Sequence, residues 1–238
     1  ALAEEQAKAA LDSKNGGVLE TANETVGQYG IRNPLGGVAG WSEVYMNASL
    51  ESYLKGYNDP RIKSYFNLAQ DGRDKEGNII KEVAGVKQLN SIEGEYKGVR
   101  QGTGVADNRY STHSQTAITT GSKIIVMSAA EVWFLRAEAA LRNYTSENVE
   151  NCYKQGITVS FAQWDASGVS EYLESEETPA AYVDAFDKKF DADAPTSITP
   201  KWDESAPLEL KLERIITQKW LAIYPEGCEA WAEQRRTG

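Results

Sequence analysis

The sequence predicts a mainly α-helical protein, built of helical hairpins with a loop-rich middle and short β-hairpins. Three observations predict it. Apolar residues recur at helical spacing in several segments, for example Met127, Ala130, Phe134, Ala137 and Leu141. From Asp71 to Gly121, by contrast, Gly72, Gly77, Gly85, Gly94, Gly98, Gly102 and Gly104 interrupt any period before a helix can establish itself. The strongest helical segments are separated by short breaks, which is the pattern of antiparallel helix pairs.

The first element is an Ala-rich helix over Leu2–Ser13, stopped by Asn15-Gly16-Gly17. Gly27 to Gly40 holds five glycines and Asn33-Pro34, and reads as loop. Met46, Leu50, Tyr53, Leu54 and Tyr57 then mark a helix ending at Asn58. Asp59-Pro60 starts a short one carrying Ile62, Tyr65 and Phe66, because Asp accepts from orphan amides and Pro is preset for the first helical position. After the glycine-rich middle, Lys123–Met127 is read as a strand.

Ser128-Ala129-Ala130-Glu131 has the form of a capping box opening a helix over Ser128–Leu141. A second helix over Asn148–Trp164 carries Tyr153, Gly156, Ile157, Ser160 and Phe161. The two are expected to pack antiparallel, with the small residues Ala130, Ala137, Gly156 and Ser160 letting the backbones approach. Thr178-Pro179 reads as a further helix start, bearing Tyr182, Val183, Phe186 and Phe190. An acidic linker follows from Asp191 to Pro207. The last hairpin shows Leu208, Leu212, Ile215, Ile216, Trp220 and Ile223 on one stripe, a break at Pro225-Glu226-Gly227 and a short helix over Cys228–Arg236. Trp133 and Trp220 are expected in the core. Residues 1–238 are read as a single domain portion.

Composition narrows the function classes. Thirty-five acids against twenty-five bases give a formal charge of −10, which argues against nucleic acid because phosphate binding needs a basic face. The longest aliphatic run, Ile124-Ile125-Val126-Met127, is far short of a membrane span. The chain opens at Ala1 with no initiator Met, basic n-region or apolar h-region, so it is read as a piece whose targeting signal lies elsewhere. Cys152 and Cys228 form neither a CxxC pair nor a disulfide framework and are expected as separate packed thiols.

Catalytic signatures are sparse. His113 is the only histidine, which removes HExxH and every site needing two His ligands. It lies between Thr112 and Ser114 and is expected as a solvated loop residue. Gly102-Thr103-Gly104 lacks the third glycine of a dinucleotide loop, and Asp71 to Glu82 puts Arg73 and Lys75 where a calcium loop needs acceptors. No metal and no cofactor are expected. Acid pairs are plentiful, so a two-carboxylate glycoside hydrolase stays open by inventory, although Glu174, Glu176 and Glu177 read as a solvated face. Asn23, Asn47 and Asn143 head Asn-x-Ser/Thr triplets; Asn47 and Asn143 are better explained as helix boundaries.

Three blocks carry a resemblance. Met127–Leu141, MSAAEVWFLRAEAAL, resembles the AEV-x-FLRAEAAL helix of the SusD/RagB family. Leu212–Gly238, LERIITQKWLAIYPEGCEAWAEQRRTG, is similar to that family's QKW…EAW-x-E-x-RRTG signature, and Asn47–Phe66 to its YLKGYNDPR segment. The resemblance implies a tetratricopeptide-like helical fold and a surface lipoprotein of the bacterial outer membrane, without enzymatic activity. Such a protein captures oligosaccharide, or peptide in some branches, and delivers it to a SusC-like TonB-dependent transporter. This chain would be the C-terminal part, meeting the membrane only through a lipid anchor outside it. A plain helical scaffold for protein partners is the third reading.

A glycan binder needs aromatic platforms and neutral polar groups, and six Trp and twelve Tyr supply the former. The candidate ligand residues are Tyr29, Arg32, Asn33, Trp41 and Tyr45, in a glycine-rich loop. Trp41 and Tyr29 would stack on sugar rings while Arg32 and Asn33 hydrogen-bond hydroxyls. The competing reading makes Trp41 a plug on the apolar side of the following helix.

Overall fold

The computed structural model describes residues 1–28, 30–41, 44–80, 82–83, 86–102 and 110–238. In chain order its regular elements are α1 (Leu2–Leu11), β1 (Val26–Gln28), α2 (Pro34–Ala39), α3 (Ala48–Gly56), α4 (Ile62–Tyr65), β2 (Glu82–Val83), β3 (Val86–Lys87), β4 (Ile124–Met127), α5 (Ala129–Leu141), α6 (Val149–Gln163), α7 (Val169–Leu173), α8 (Leu208–Ala222) and α9 (Gly227–Thr237). The architecture is mainly α, as expected. Among the described residues, no helix is long and apolar enough to cross a membrane.

The chain divides into two compact units. The first comprises Ala1–Tyr29, Lys123–Glu176 and Ile198–Gly238. Its centre is the α5/α6 pair, whose polarity is fixed by two bonds to one hydroxyl. Thr25 Oγ1 accepts from the Ala129 amide at the start of α5 (3.1 Å) and donates to Gln163 Oε1 at the end of α6 (2.9 Å). The start of α5 therefore meets the end of α6, and the helices run antiparallel. Ser128 Oγ accepts the Glu131 amide at 3.1 Å, the first half of the expected box. Gly156 allows the close approach, since a Cβ there would lie 2.7–2.9 Å from carbons of the Phe134 ring. Trp133 is buried, 9% exposed, with its indole N–H donating to Glu20 O at 2.9 Å and the Arg136 guanidinium over its ring.

Helix α8 packs on both α5 and α6, using only part of the expected stripe. Leu212, Ile215, Gln218, Lys219 and Ala222 are buried, Leu208 is exposed and Trp220 is only half-buried. Trp220 is thus corrected from core to rim: polar residues paired inside the unit took the central face. Lys219, 1% exposed, places its ammonium 2.7 Å from Glu229, 3.2 Å from Glu233 and 3.8 Å from Glu131, tying α8 to α9 and α5. Arg236 on α9 reaches both Glu138 oxygens at 2.6 Å. Strands β1 and β4 pair antiparallel with a bulge at Val26/Gly27. Both cysteines are free, Cys152 buried as expected and Cys228 exposed rather than packed.

The second unit comprises Gly30–Ser122 and Glu177–Ser197. Asn47 caps α3 as the sequence suggested, accepting the Ser49 amide at 2.7 Å. Asp59 and Arg61 form a fully buried ion pair at the head of α4. The middle holds the β2/β3 hairpin and a core of Ala69, Ile92, Tyr110, Ala185 and Phe186. Residues 178–187 correct a sequence expectation: they are not helical. Tyr182 pairs antiparallel with Ala192, and Asp184 Oδ1 accepts the amides of Phe186 and Asp187 (2.9 and 3.0 Å). An Asp side chain that binds nearby amides offers the backbone an alternative to a helix, and here it prevailed.

Candidate ligand-binding site

The expected loop over residues 27–40 contains a helix. Asn33 stands before Pro34, and its Oδ1 accepts the Leu35 amide at 2.9 Å, so Asn33 caps α2 and Pro34 takes the first helical position. The cap is anchored in turn: Asn33 Nδ2 donates to Ser122 O at 3.3 Å and its amide to Thr120 O at 2.9 Å. On the same side of α2, Gly36 is buried against the Thr119–Thr120 peptide, where any Cβ would collide with backbone. The helix thus lies with Gly36 inward, which turns its apolar face outward. Leu35 and Val38, three residues apart on α2, are exposed, as is Ile31 ahead of the cap, and Trp41 beyond the C-terminus of α2 is 68% exposed.

The structure distributes the five candidate residues unequally. Trp41 projects into solvent, with its amide closing a turn on Val38 O at 3.0 Å. Arg32 is exposed at the other end of α2, a helix about 9 Å long. Asn33 is buried, 2% exposed, with both side-chain ends spent on the cap described above. Tyr45 is half-buried and forms an antiparallel bridge with Gln115. Tyr29 lies outside the described residues. Sequence reasoning missed Ile31, Leu35 and Val38, although Asn-Pro followed by i, i+3 and i+4 apolar spacing was a readable helix start. Glycine content outweighed it.

His113 corrects a second expectation. It is 2% exposed rather than solvated, with its ring stacked on Phe186 and edge-on to Tyr110, centroids 6.0 and 5.0 Å away. Neither ring nitrogen has a hydrogen-bond partner among the described residues. Burial, reinforced by the Lys97 ammonium and opposed by Asp184, pulls its pKa down to about 4. The ring is neutral near pH 7 and sealed from solvent, which removes it as the base of a Ser–His pair. Glu174, Glu176 and Glu177 are exposed, as a solvated face requires. Among the described residues, no group of three or more His, Cys, Asp or Glu side chains could hold a metal ion.

Comparison with known proteins gives this geometry its context. The SusD-like family model, described as SusD and RagB outer membrane lipoprotein, matches residues 1–238. A solved SusD homologue from Bacteroides vulgatus is 40% identical, with TM-score 0.84, over 98% of this chain and 45% of its own. A chitin-binding SusD homologue from Flavobacterium johnsoniae is 35% identical, with TM-score 0.85, over 99% of this chain and 46% of its own. A SusD homologue from Bacteroides thetaiotaomicron is 31% identical, with TM-score 0.83, over 99% and 46%. No curated protein matches. The fold is the tetratricopeptide-like helical one of these structures, and the chain spans less than half the length of each.

Proposed function

Because the chain belongs to the SusD-like family of outer membrane lipoproteins, we propose that it contributes to capture of a neutral oligosaccharide at the cell surface and its delivery to a SusC-like TonB-dependent transporter. The observation that carries the reading is the outward stripe of α2 ending in an exposed Trp41. An exposed apolar patch of this kind marks an interaction surface, and an indole face suits the C–H face of a sugar ring. Arg32 supplies donors for hydroxyls at the opposite end of the helix. Asn33 serves the site by holding α2 in place rather than by touching ligand. The chitin-binding relative supports a glycan over a peptide. SusD-like proteins are nutrient-binding and non-catalytic, so the ligand is expected to leave unchanged.

The test is calorimetric titration of chito- and malto-oligosaccharides into the protein and its Trp41→Ala variant. Loss of the stacking platform should weaken binding up to about tenfold, some 0.5–1.5 kcal/mol, with the melting temperature barely moved. Undiminished affinity in the variant would remove Trp41 from the site. Chromatography of the recovered sugars should show no cleavage.

A further inference from the structure

Asn15-Gly16 is the only Asn-Gly step in the chain, and the structure leaves it open to a covalent change. A following glycine, having no Cβ, hinders least the attack of its own backbone nitrogen on the asparagine side chain. Asn15 is exposed and closes a 3₁₀ turn over Ser13–Asn15. Gly16 and Gly17 have positive φ, +112° and +81°, and a Cβ on either would meet no atom within 4 Å. The Gly16 amide donates only to Ser13 O, at 3.3 Å, beyond the usual length of such a bond. The nucleophile is therefore loosely tied and unshielded.

The one Asp-Gly step, open in principle to the same ring closure, shows the contrast. Asp71, before Gly72, is 4% exposed and both its oxygens are taken. Oδ1 accepts the Ile92 amide at 2.9 Å and Gln88 Nε2 at 2.8 Å, and Oδ2 accepts the Ser91 hydroxyl at 2.6 Å. A carboxyl fixed by three donors cannot swing onto the next nitrogen. Asn15 has one side-chain contact among the described residues, Nδ2 donating to Ala9 O at 2.9 Å, where water competes for the same groups.

That contact also ties the turn to α1. Ala9 lies in the last turn of the helix, and the Asp12 amide reaches its carbonyl only at 3.3 Å. No residue of α1 is buried, and the turn ending at Asn15 is its main neighbour. The end of the helix thus leans on the Asn15 amide more than a buried helix would.

We propose that Asn15 deamidates spontaneously in the folded protein and that the product loosens the end of α1. The Gly16 nitrogen gives up its proton to solvent and bonds to Asn15 Cγ. The Cγ–Nδ2 bond breaks, and Nδ2 takes a proton from solvent and leaves as ammonia. Water then opens the cyclic imide at either carbonyl, leaving aspartate or isoaspartate at position 15. The donor to Ala9 O becomes a carboxylate, which repels that carbonyl and faces the negative end of the helix.

The experiment is incubation of the whole protein at pH 6.5 and pH 8.5, followed by peptide mapping with mass spectrometry and isoaspartate detection. Deamidation should concentrate in the peptide containing Asn15 and run faster at the higher pH, because the nucleophile is the deprotonated amide. It should vanish in Asn15→Gln, whose longer side chain would have to close a larger, slower-forming ring. The product mimic Asn15→Asp should keep the parent melting temperature. It should speed hydrogen exchange in the last turn of α1 about two- to fivefold, the worth of one unfavourable charge at a helix end, with α5 and α6 unchanged. Conversion of Asn15 in urea but not in the folded protein would overturn the proposal, as would conversion no faster than at exposed Asn90, which precedes Ser91. Unchanged exchange in Asn15→Asp would overturn the effect on α1.

Discussion

A histidine ring enclosed by Tyr110 and Phe186, with both nitrogens unpaired among the described residues, is compatible with the folded state only while it is neutral. The folded pKa of about 4 lies below the value near 6.5 expected in the unfolded chain. Between these values the unfolded state binds more protons, so stability is full above about pH 6.5 and falls as pH drops toward 4. The difference amounts to up to about 3 kcal/mol. His113→Phe, which keeps the aromatic stack, should flatten the denaturation midpoint across that window; an unchanged slope would place the acid sensitivity elsewhere. Lys219 makes the opposite case, a buried charge that is fully partnered. Lys219→Met would leave Glu131, Glu229 and Glu233 facing one another, and should cost about 3–5 kcal/mol at neutral pH. Burial already raises the Glu131 pKa against the pull of Lys219, so the penalty should shrink as acid neutralises the cluster. Urea melts at pH 5 and pH 7.5 check both the size and the sign.

Helix α2 owes its orientation to one residue without a side chain. Gly36 meets the Thr119–Thr120 peptide so closely that a methyl group must push backbone away from backbone. Gly36→Ala should therefore destabilise the protein by about 1–3 kcal/mol and displace Trp41 with the helix, even though alanine is the better helix former. Gly37, beside it, has open space where its Cβ would be. Gly37→Ala should be neutral or slightly stabilising, and equal effects of the two substitutions in thermal melts would contradict the packing described. The α5/α6 pair shows how much of an element the sequence can disclose. Its capping serine, its small residues and the short connection were all visible, because helical period and cap chemistry are local. The helix expected after Thr178-Pro179 failed for the converse reason. Its apolar spacing was helical, but the Asp184 carboxylate captured two amides and Tyr182 found a partner in Ala192, ten residues away.

For the molecule as a whole, the charge of −10 bears on what can be bound and how binding responds to salt. A neutral sugar held by an indole face and hydroxyl hydrogen bonds has little to lose to screening. Its affinity should stay within about twofold as the Debye length falls from about 10 Å at 0.1 M salt to about 3 Å at 1 M. A steep fall would instead indicate a charged polysaccharide engaged through Arg32. The chain covers 45–46% of the lengths of three solved relatives.

Family, helical class and the absence of paired histidines followed from the sequence by itself, since each rests on local pattern or composition: the FLRAEAAL and RRTG blocks, the helical period, a single His113. Which apolar residues would face water did not. The sequence leaves Trp41 between a ligand platform and a core plug, places Leu35 and Val38 in a loop, and puts Trp220 in the core. Exposure is set by what each helix face meets, and only the tertiary structure places a peptide against Gly36 or three carboxylates around Lys219. His113 shows the limit most plainly: its neighbours Thr112 and Ser114 are polar, yet the groups that bury it come from Tyr110 and, more than seventy positions along the chain, Phe186. Burial is a property of contacts distant in sequence, and no window of residues contains it.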